Sequence, residues 1–299
     1  MLQTAELLKK VRKLEIVTGK LVDDVIGGAY HSVFKGRGIE FDEVREYTFE
    51  DDVRDIDWNV SARLNSPYVK KYIEERELTV LLMLDVSGSI NSAVLNDKAV
   101  EAAALLGMSA IGNHDRVGLS LFSDRVEKFL SPRNGRHNNL RLIRELVAVS
   151  GNDRTCSTDI AGALRNACSV LVKRSVIFII TDLLDPSPEL ETALKLASRR
   201  HDVIVLHLYD PDSWVLPVGI NTLYDAEKNA FIRVNSRRAR EEYTRNCREL
   251  TESRQNLCRR CGAEVIPLPG NAETVSALMN FFRQRRKHRR HSNGGSKSL

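Results

Sequence analysis

From about Leu78 onward, short apolar runs alternate with longer stretches in which apolar residues recur every three or four positions. The segment "LTVLLML" (Leu78–Leu84) is almost continuously apolar, the pattern of a strand covered on both faces. Ala93–Ile111 is rich in Ala and Leu and reads as a helix. "DRVGLSLFS" gives a second strand and "DRVEKFLS" a short third one. In Asn138–Val149, the residues Leu140, Ile143, Leu146 and Val147 fall on one helical face. The loop "SGNDRTCSTD" then ends in Ser157, Thr158 and Asp159, which offer caps to a helix over Ile160–Val172. "SVIFIITD" is another buried strand, a helix follows Pro188, and "DVIVLHLYD" is the next strand. Such alternation predicts an α/β fold, a doubly wound and mostly parallel sheet flanked by helices.

Two regions break the rhythm. Residues 211–235 contain "TLYDAEKNAFIRV", which predicts a β-hairpin turning near Glu227–Asn229, inserted before a long charged helix over Arg237–Cys261. "AEVIPLP" gives a last short strand, and Thr274–Phe282 starts a closing helix. The first 77 residues have no strand–helix alternation. Their extended pieces, Glu40–Tyr47 and Tyr68–Glu74, predict a small β-rich N-terminal module over 1–77, with the main domain over 78–282. Within that module Phe41 and Trp58 read as core residues. Asp51, Asp52, Asp55 and Asp57 have two readings, pairing with Arg45, Arg54 and Arg63 or forming a docking surface.

Charge changes the picture at one end. The chain carries +5 overall, but residues 283–299 alone hold Arg283, Arg285, Arg286, Lys287, Arg289, Arg290 and Lys297 and no acid, which leaves the rest at −2. That segment reads as a basic, disordered tail. It lacks interleaved aromatics for base stacking, so nucleic-acid binding is disfavoured, although charge alone also suits an anionic lipid surface. The longest apolar runs, Val80–Leu84 and Val176–Ile180, are far too short to span a bilayer. The N-terminal "MLQTAELLKKVRKLEIVTGKLV" has no signal-peptide core, so the expectation is a soluble cytoplasmic protein. Five scattered cysteines form no disulfide framework. Cys258-Arg-Arg-Cys261 has zinc or redox spacing, but no second pair follows it.

The candidate chemistry sits where strands end. In open α/β sheets, ligands bind beyond the carboxyl ends of the strands. Asp85, Ser87 and Ser89 follow the first main-domain strand, Asp182 ends a later one, and Thr158 lies in a loop expected at the same edge. Two carboxylates and three hydroxyls suit a hard divalent cation. Alternation at 85, 87 and 89 aims three side chains at one point, and Gly88 permits a tight turn.

This set, Asp85-x-Ser87-x-Ser89 with Thr158 and Asp182, resembles the metal-ion-dependent adhesion site of von Willebrand factor A domains. "GAYHSVFKGRGIEFDEVREYTFEDDVRDIDWNVSAR" (27–63) further resembles the signature of the DUF58 family, whose bacterial members carry a von Willebrand A-like domain and are often encoded beside MoxR-type AAA+ ATPases. The resemblance implies that Ser87, Ser89 and Thr158 ligate Mg²⁺ or Mn²⁺, with Asp85 and Asp182 acting directly or through water. Thr155 shares the loop, but Asp159-Ile160 and Ala163-Leu164 follow Thr158 in the family-like way. It also implies that a partner's carboxylate completes the metal sphere and shifts the closing helix and loops between two states. On that reading the protein is a non-enzymatic adaptor that works with a MoxR-like AAA+ ATPase on client proteins. Many relatives carry two transmembrane helices ahead of the signature, and this sequence does not.

Two rivals belong to other classes. Asp85 and Thr181 at strand ends resemble haloacid-dehalogenase phosphatases, but Ser87 stands where the second motif aspartate belongs. No Walker loop, Gly-x-Ser-x-Gly elbow or HExxH occurs. The other rival is a nucleic-acid or lipid binder acting through the basic tail.

Overall fold

The structure is a computed structural model that describes residues 30, 40–49, 51–73, 77–149, 156–185, 187–225 and 230–294. Its contacts divide into two compact units, residues 34–77 and the remainder. In the small unit, strands β1 (Glu40–Glu46) and β2 (Tyr68–Ile73) pair antiparallel. Between them lie a 3-10 turn at Val53–Asp55 and the short helix α1 (Trp58–Leu64). The module is therefore mixed rather than purely β. Trp58 is a correction to the expected core, because its side chain is 68% exposed. A seven-residue helix buries only one narrow side, and here that side is Ser61. The side chain of Phe41 is not among those described. The acids serve turns and caps. Asp51 binds Arg45 and accepts from the Thr48 backbone, Asp52 accepts from the Arg54 amide, and Asp57 from the amides of Asn59 and Val60.

The large unit runs through β3 (Thr79–Asp85), α2 (Ala93–Gly112), β4 (Arg116–Phe122), β5 (Val126–Arg133), α3 (Arg136–Val149), α4 (Ile160–Val170) and β6 (Val176–Thr181). It continues with α5 (Leu190–Arg200), β7 (Asp202–Tyr209), the antiparallel pair β8 (Ile220–Asp225) and β9 (Ala230–Asn235), α6 (Ser236–Arg260), β10 (Glu264–Pro269) and α7 (Thr274–Gly294). The hairpin turn expected at Glu227–Asn229 lies outside the described residues. Six strands form one sheet in the order β10-β7-β6-β3-β4-β5, and only the β4–β5 pairing is antiparallel. This is the doubly wound, mostly parallel class that the pattern predicts and the von Willebrand A-like fold that the resemblance implies. Val80–Leu84 and Ile177–Ile180 are fully buried because helices cover both faces of the central strands. The chain leaves β3 toward β4 and β5, then crosses back to place β6 on the other side of β3. The switch in winding therefore falls between β3 and β6, where such sheets open a crevice.

The basic segment is a second correction. Expected as a disordered tail after the start of the closing helix, it is helical as far as Gly294, because α7 runs on through it. Leu278, Phe282 and Arg285 lie at i, i+4 and i+7 and form one buried stripe. Arg285 is only 8% exposed and pairs with Asp202 and Glu264. Burial of a guanidinium requires such partners, so this arginine belongs to the fold rather than to a loose tail. Residues 295–299 lie outside the described residues. No helix among the described residues is long and apolar enough to cross a membrane.

Candidate metal centre at the sheet switch point

The parallel register of β3 with β6 pairs Leu84 with Ile180, which sets Asp85 beside Thr181 and Asp182 one residue beyond. Both strands stop there because the next residues turn their polar atoms inward. The Asp85 Oδ1 accepts from the Ser87 amide at 2.9 Å, and its Oδ2 accepts from the Thr181 hydroxyl at 2.6 Å. The backbone then enters a 3-10 turn, Gly88–Asn91, before Ser92 caps α2 by accepting from the Leu95 amide. Gly88 is not needed for a left-handed conformation. Its buried amide instead donates to the Cys156 carbonyl at 2.9 Å, joining this loop to the one that carries Thr158.

The structure brings four of the five candidate residues into direct linkage. Ser87 Oγ and Ser89 Oγ are 3.1 Å apart. The Ser89 hydroxyl lies near enough to the Asp182 carboxylate to favour its charged form, and the Asp182 and Asp85 carboxylates are close enough to repel. Asp182 Oδ1 also accepts from the Leu184 amide at 3.1 Å. Thr158 is held nearby through its backbone neighbours. Cys156 binds Gly88, the Asp159 amide donates to the Ser123 carbonyl, and the Ile160 amide donates to Asp185 at 2.8 Å. Asp159 caps α4 by accepting from the Gly162 amide. Thr155 lies outside the described residues.

Burial dominates the electrostatics. Asp85 is 1% exposed, and desolvation together with the neighbouring Asp182 charge pushes its pKa up to about 7. Burial likewise raises that of Asp182. Among the described residues no cationic side chain forms an ion pair with either group. Among the described residues, the Thr158 hydroxyl, 4% exposed, has no hydrogen-bond partner. Two buried, mutually repelling carboxylates and an orphaned buried hydroxyl each raise the free energy of the folded chain. A divalent cation relieves both conditions, so the donor set fits Mg²⁺ or Mn²⁺. Asp185 is the contrast: it is fully buried but takes three amides, from Ile160, Ala161 and Ser187, and needs no metal. A further group of ligand-type side chains joins Asp124 and Cys156, on two loops, with Glu127 at the start of β5, and its two acids are exposed.

Sequence reasoning named Thr181 only for the phosphatase rival and missed the other supporting residues. Thr181 fixes Asp85 and also accepts from the Leu183 amide at 3.2 Å. Leu183 takes a left-handed φ of 59°, an uncommon conformation for a bulky residue that turns the chain directly after Asp182. His207, on the neighbouring β7, is paired in register with Thr181 and hydrogen-bonded to the Asp182 carbonyl. Its only sequence signal is a histidine inside an otherwise apolar strand. Among the described residues, Cys258 and Cys261 belong to no cluster of three ligand-type side chains. Both lie in the apolar core, and burial, with the adjacent Cys261, pushes the Cys258 thiol up to about 12.

Comparison with known proteins completes the picture. Residues 43–253 match the family described as "Protein of unknown function DUF58". The chain is 27% identical over 288 residues to uncharacterized protein Rv1480 of Mycobacterium tuberculosis, covering 94% of this chain and 90% of that protein. It is 24% identical over 157 residues to uncharacterized protein MAV169 of Mycobacterium avium, covering 52% of this chain and 92% of that one. Among solved structures, BatB from Bacteroides thetaiotaomicron aligns with a TM-score of 0.49 and 17% identity, covering 70% of this chain and 99% of that one. An aerotolerance-related membrane protein from Bacteroides fragilis aligns with a TM-score of 0.47 and 20% identity, covering 71% and 99%. The family match spans more than two thirds of the sequence, and the chain belongs to the DUF58 family.

Proposed function

We propose that this protein is a non-enzymatic, metal-dependent interaction protein. Asp85, Ser87, Ser89, Thr158 and Asp182 would hold Mg²⁺ or Mn²⁺, and a partner's carboxylate would dock there. The observation that carries the reading is the buried Asp85–Asp182 pair at the switch point of the sheet, with the orphaned Thr158 hydroxyl on the loop that accepts from the Gly88 amide. A cation bound there supplies an electrophilic position for an incoming acidic side chain. The chain's own residues prepare that position. Thr181 and the Ser87 amide orient Asp85, and Ser89 and the Leu184 amide orient Asp182. The remaining donors are neutral hydroxyls, so they add no anionic charge against the incoming acid. By family resemblance the partner is a MoxR-like AAA+ ATPase, and the pair would act in the assembly or maturation of client proteins.

The rivals draw less support. In a phosphatase, Thr181 would face the substrate, whereas here its hydroxyl is committed to Asp85, the would-be nucleophile. For a basic-tail binder, Arg285 is already committed to Asp202 and Glu264. The test is affinity capture from native cell extract with mass spectrometry, comparing wild type in Mg²⁺, wild type in EDTA, and Asp85→Ala in Mg²⁺. An AAA+ ATPase retained only in the first sample is the expected result. The same partners in all three samples contradict the reading.

A further inference from the structure

Both nitrogens of the His207 ring are engaged, and the bonds have a fixed direction. Nε2 lies 3.1 Å from the Asp182 carbonyl oxygen, which can only accept, so Nε2 carries the proton. Nδ1 is then an acceptor, and the Gln255 amide nitrogen at 3.2 Å donates to it. The Gln255 carbonyl oxygen in turn accepts from Arg259 at 3.4 Å. The result is a one-way chain of hydrogen bonds from α6, through β7, to the backbone of a candidate metal ligand. His207 is 2% exposed, and a buried imidazole at the end of a strand is a costly choice unless its polar atoms are used.

The place where the chain ends gives it a purpose. The β6–β7 ladder stops at Thr181 opposite His207, so the Asp182 carbonyl is the first one past the ladder. The peptide it belongs to leads into Leu183 with its left-handed φ of 59°. Holding that carbonyl fixes the turn that aims the Asp182 side chain at Ser89 and Asp85. We propose that His207, seated by Gln255, is a positioning residue for Asp182 in the metal centre and ties that centre to helix α6. This inference rests on the metal reading above. Its consequence is that occupancy of the centre and the placement of α6, the helix that follows the β8–β9 hairpin, are coupled through one imidazole.

The experiment is calorimetric titration of Mg²⁺ into EDTA-stripped wild type, His207→Leu, His207→Gln and Gln255→Leu, alongside thermal unfolding of each in EDTA. His207→Leu is expected to weaken Mg²⁺ binding at least tenfold. His207→Gln should stay within about threefold, because its amide offers both a donor to the Asp182 carbonyl and an acceptor for Gln255. Gln255→Leu should weaken binding severalfold in the same direction while still unfolding cooperatively in EDTA. A purely structural role would lower the melting temperature in EDTA and leave Mg²⁺ affinity of the folded protein unchanged. Equal affinity in wild type and His207→Leu overturns this inference and leaves the metal reading standing. Should His207→Leu fail to fold, unchanged affinity in Gln255→Leu overturns it instead. Absence of Mg²⁺ binding by the wild type overturns both.

Discussion

Asp85–Ser89 and Cys258–Cys261 both space ligand-type side chains closely enough to hold a metal, yet they end in opposite surroundings. The first leaves the end of β3 at the switch in sheet winding, where its side chains meet Asp182 and the loop of Thr158. The second lies at the end of α6, with both thiols packed among the apolar residues beneath the sheet and raised in pKa by that burial. Buried polar atoms remain under-satisfied in one place, and reactive atoms are made inert in the other. Spacing alone did not distinguish them. Position on the fold did, because the end of a parallel strand beside a topological switch leaves polar groups without ladder partners.

The widest gap between the regions should come from Asp85→Asn. It is expected to weaken Mg²⁺ binding by two orders of magnitude or more, while the melting temperature in EDTA holds or rises because a buried like-charge repulsion is removed. Calorimetric titration with parallel melts checks both halves. A metal-free variant that unfolds well below wild type would make Asp85 a structural residue. Asp185→Ala sharpens the contrast inside the same corner. It leaves three backbone amides without an acceptor, a cost of about 3 kcal/mol or more in urea denaturation.

Thr158→Val should separate metal binding from folding most cleanly. It keeps the shape, and it removes a hydroxyl that has no hydrogen-bond partner among the described residues. Mg²⁺ affinity is expected to fall about tenfold, with metal-free stability unchanged or slightly higher. Equal Mg²⁺ affinity would remove Thr158 from the site. The smallest effect belongs to the cysteines. Cys258→Ala should cost roughly 1–2 kcal/mol as an ordinary core truncation, and added Zn²⁺ should not raise the wild-type melting temperature. A zinc-dependent stabilisation lost in Cys258→Ala would erase the distinction between the two regions.

The strands were legible because burial on both faces leaves an unmistakable apolar run, as in Val80–Leu84 and Val176–Ile180. The carboxylates and serines were legible because they follow those runs directly. Three things were not. Trp58 looked like core because aromatic residues usually are, but a single short helix offers too little surface to cover it. Arg283–Arg290 looked like a solvated run, because sequence alone does not reveal that Asp202 and Glu264 face Arg285. His207 and Gln255 escaped notice, and Thr181 was read only as a phosphatase-like residue, because their roles depend on register between distant strands and a helix, pairings that no local pattern encodes.

The central claim is that the corner formed by Asp85, Thr158 and Asp182 is built for a divalent cation. Its most direct test is a Mn²⁺ titration of EDTA-stripped protein followed by electron paramagnetic resonance, for wild type and Asp85→Asn, with Mg²⁺ as competitor. One stoichiometric Mn²⁺ site in the wild type, displaced by Mg²⁺ and lost in the variant, is the expected result. No stoichiometric site in the wild type, or the same site in both proteins, would contradict the account.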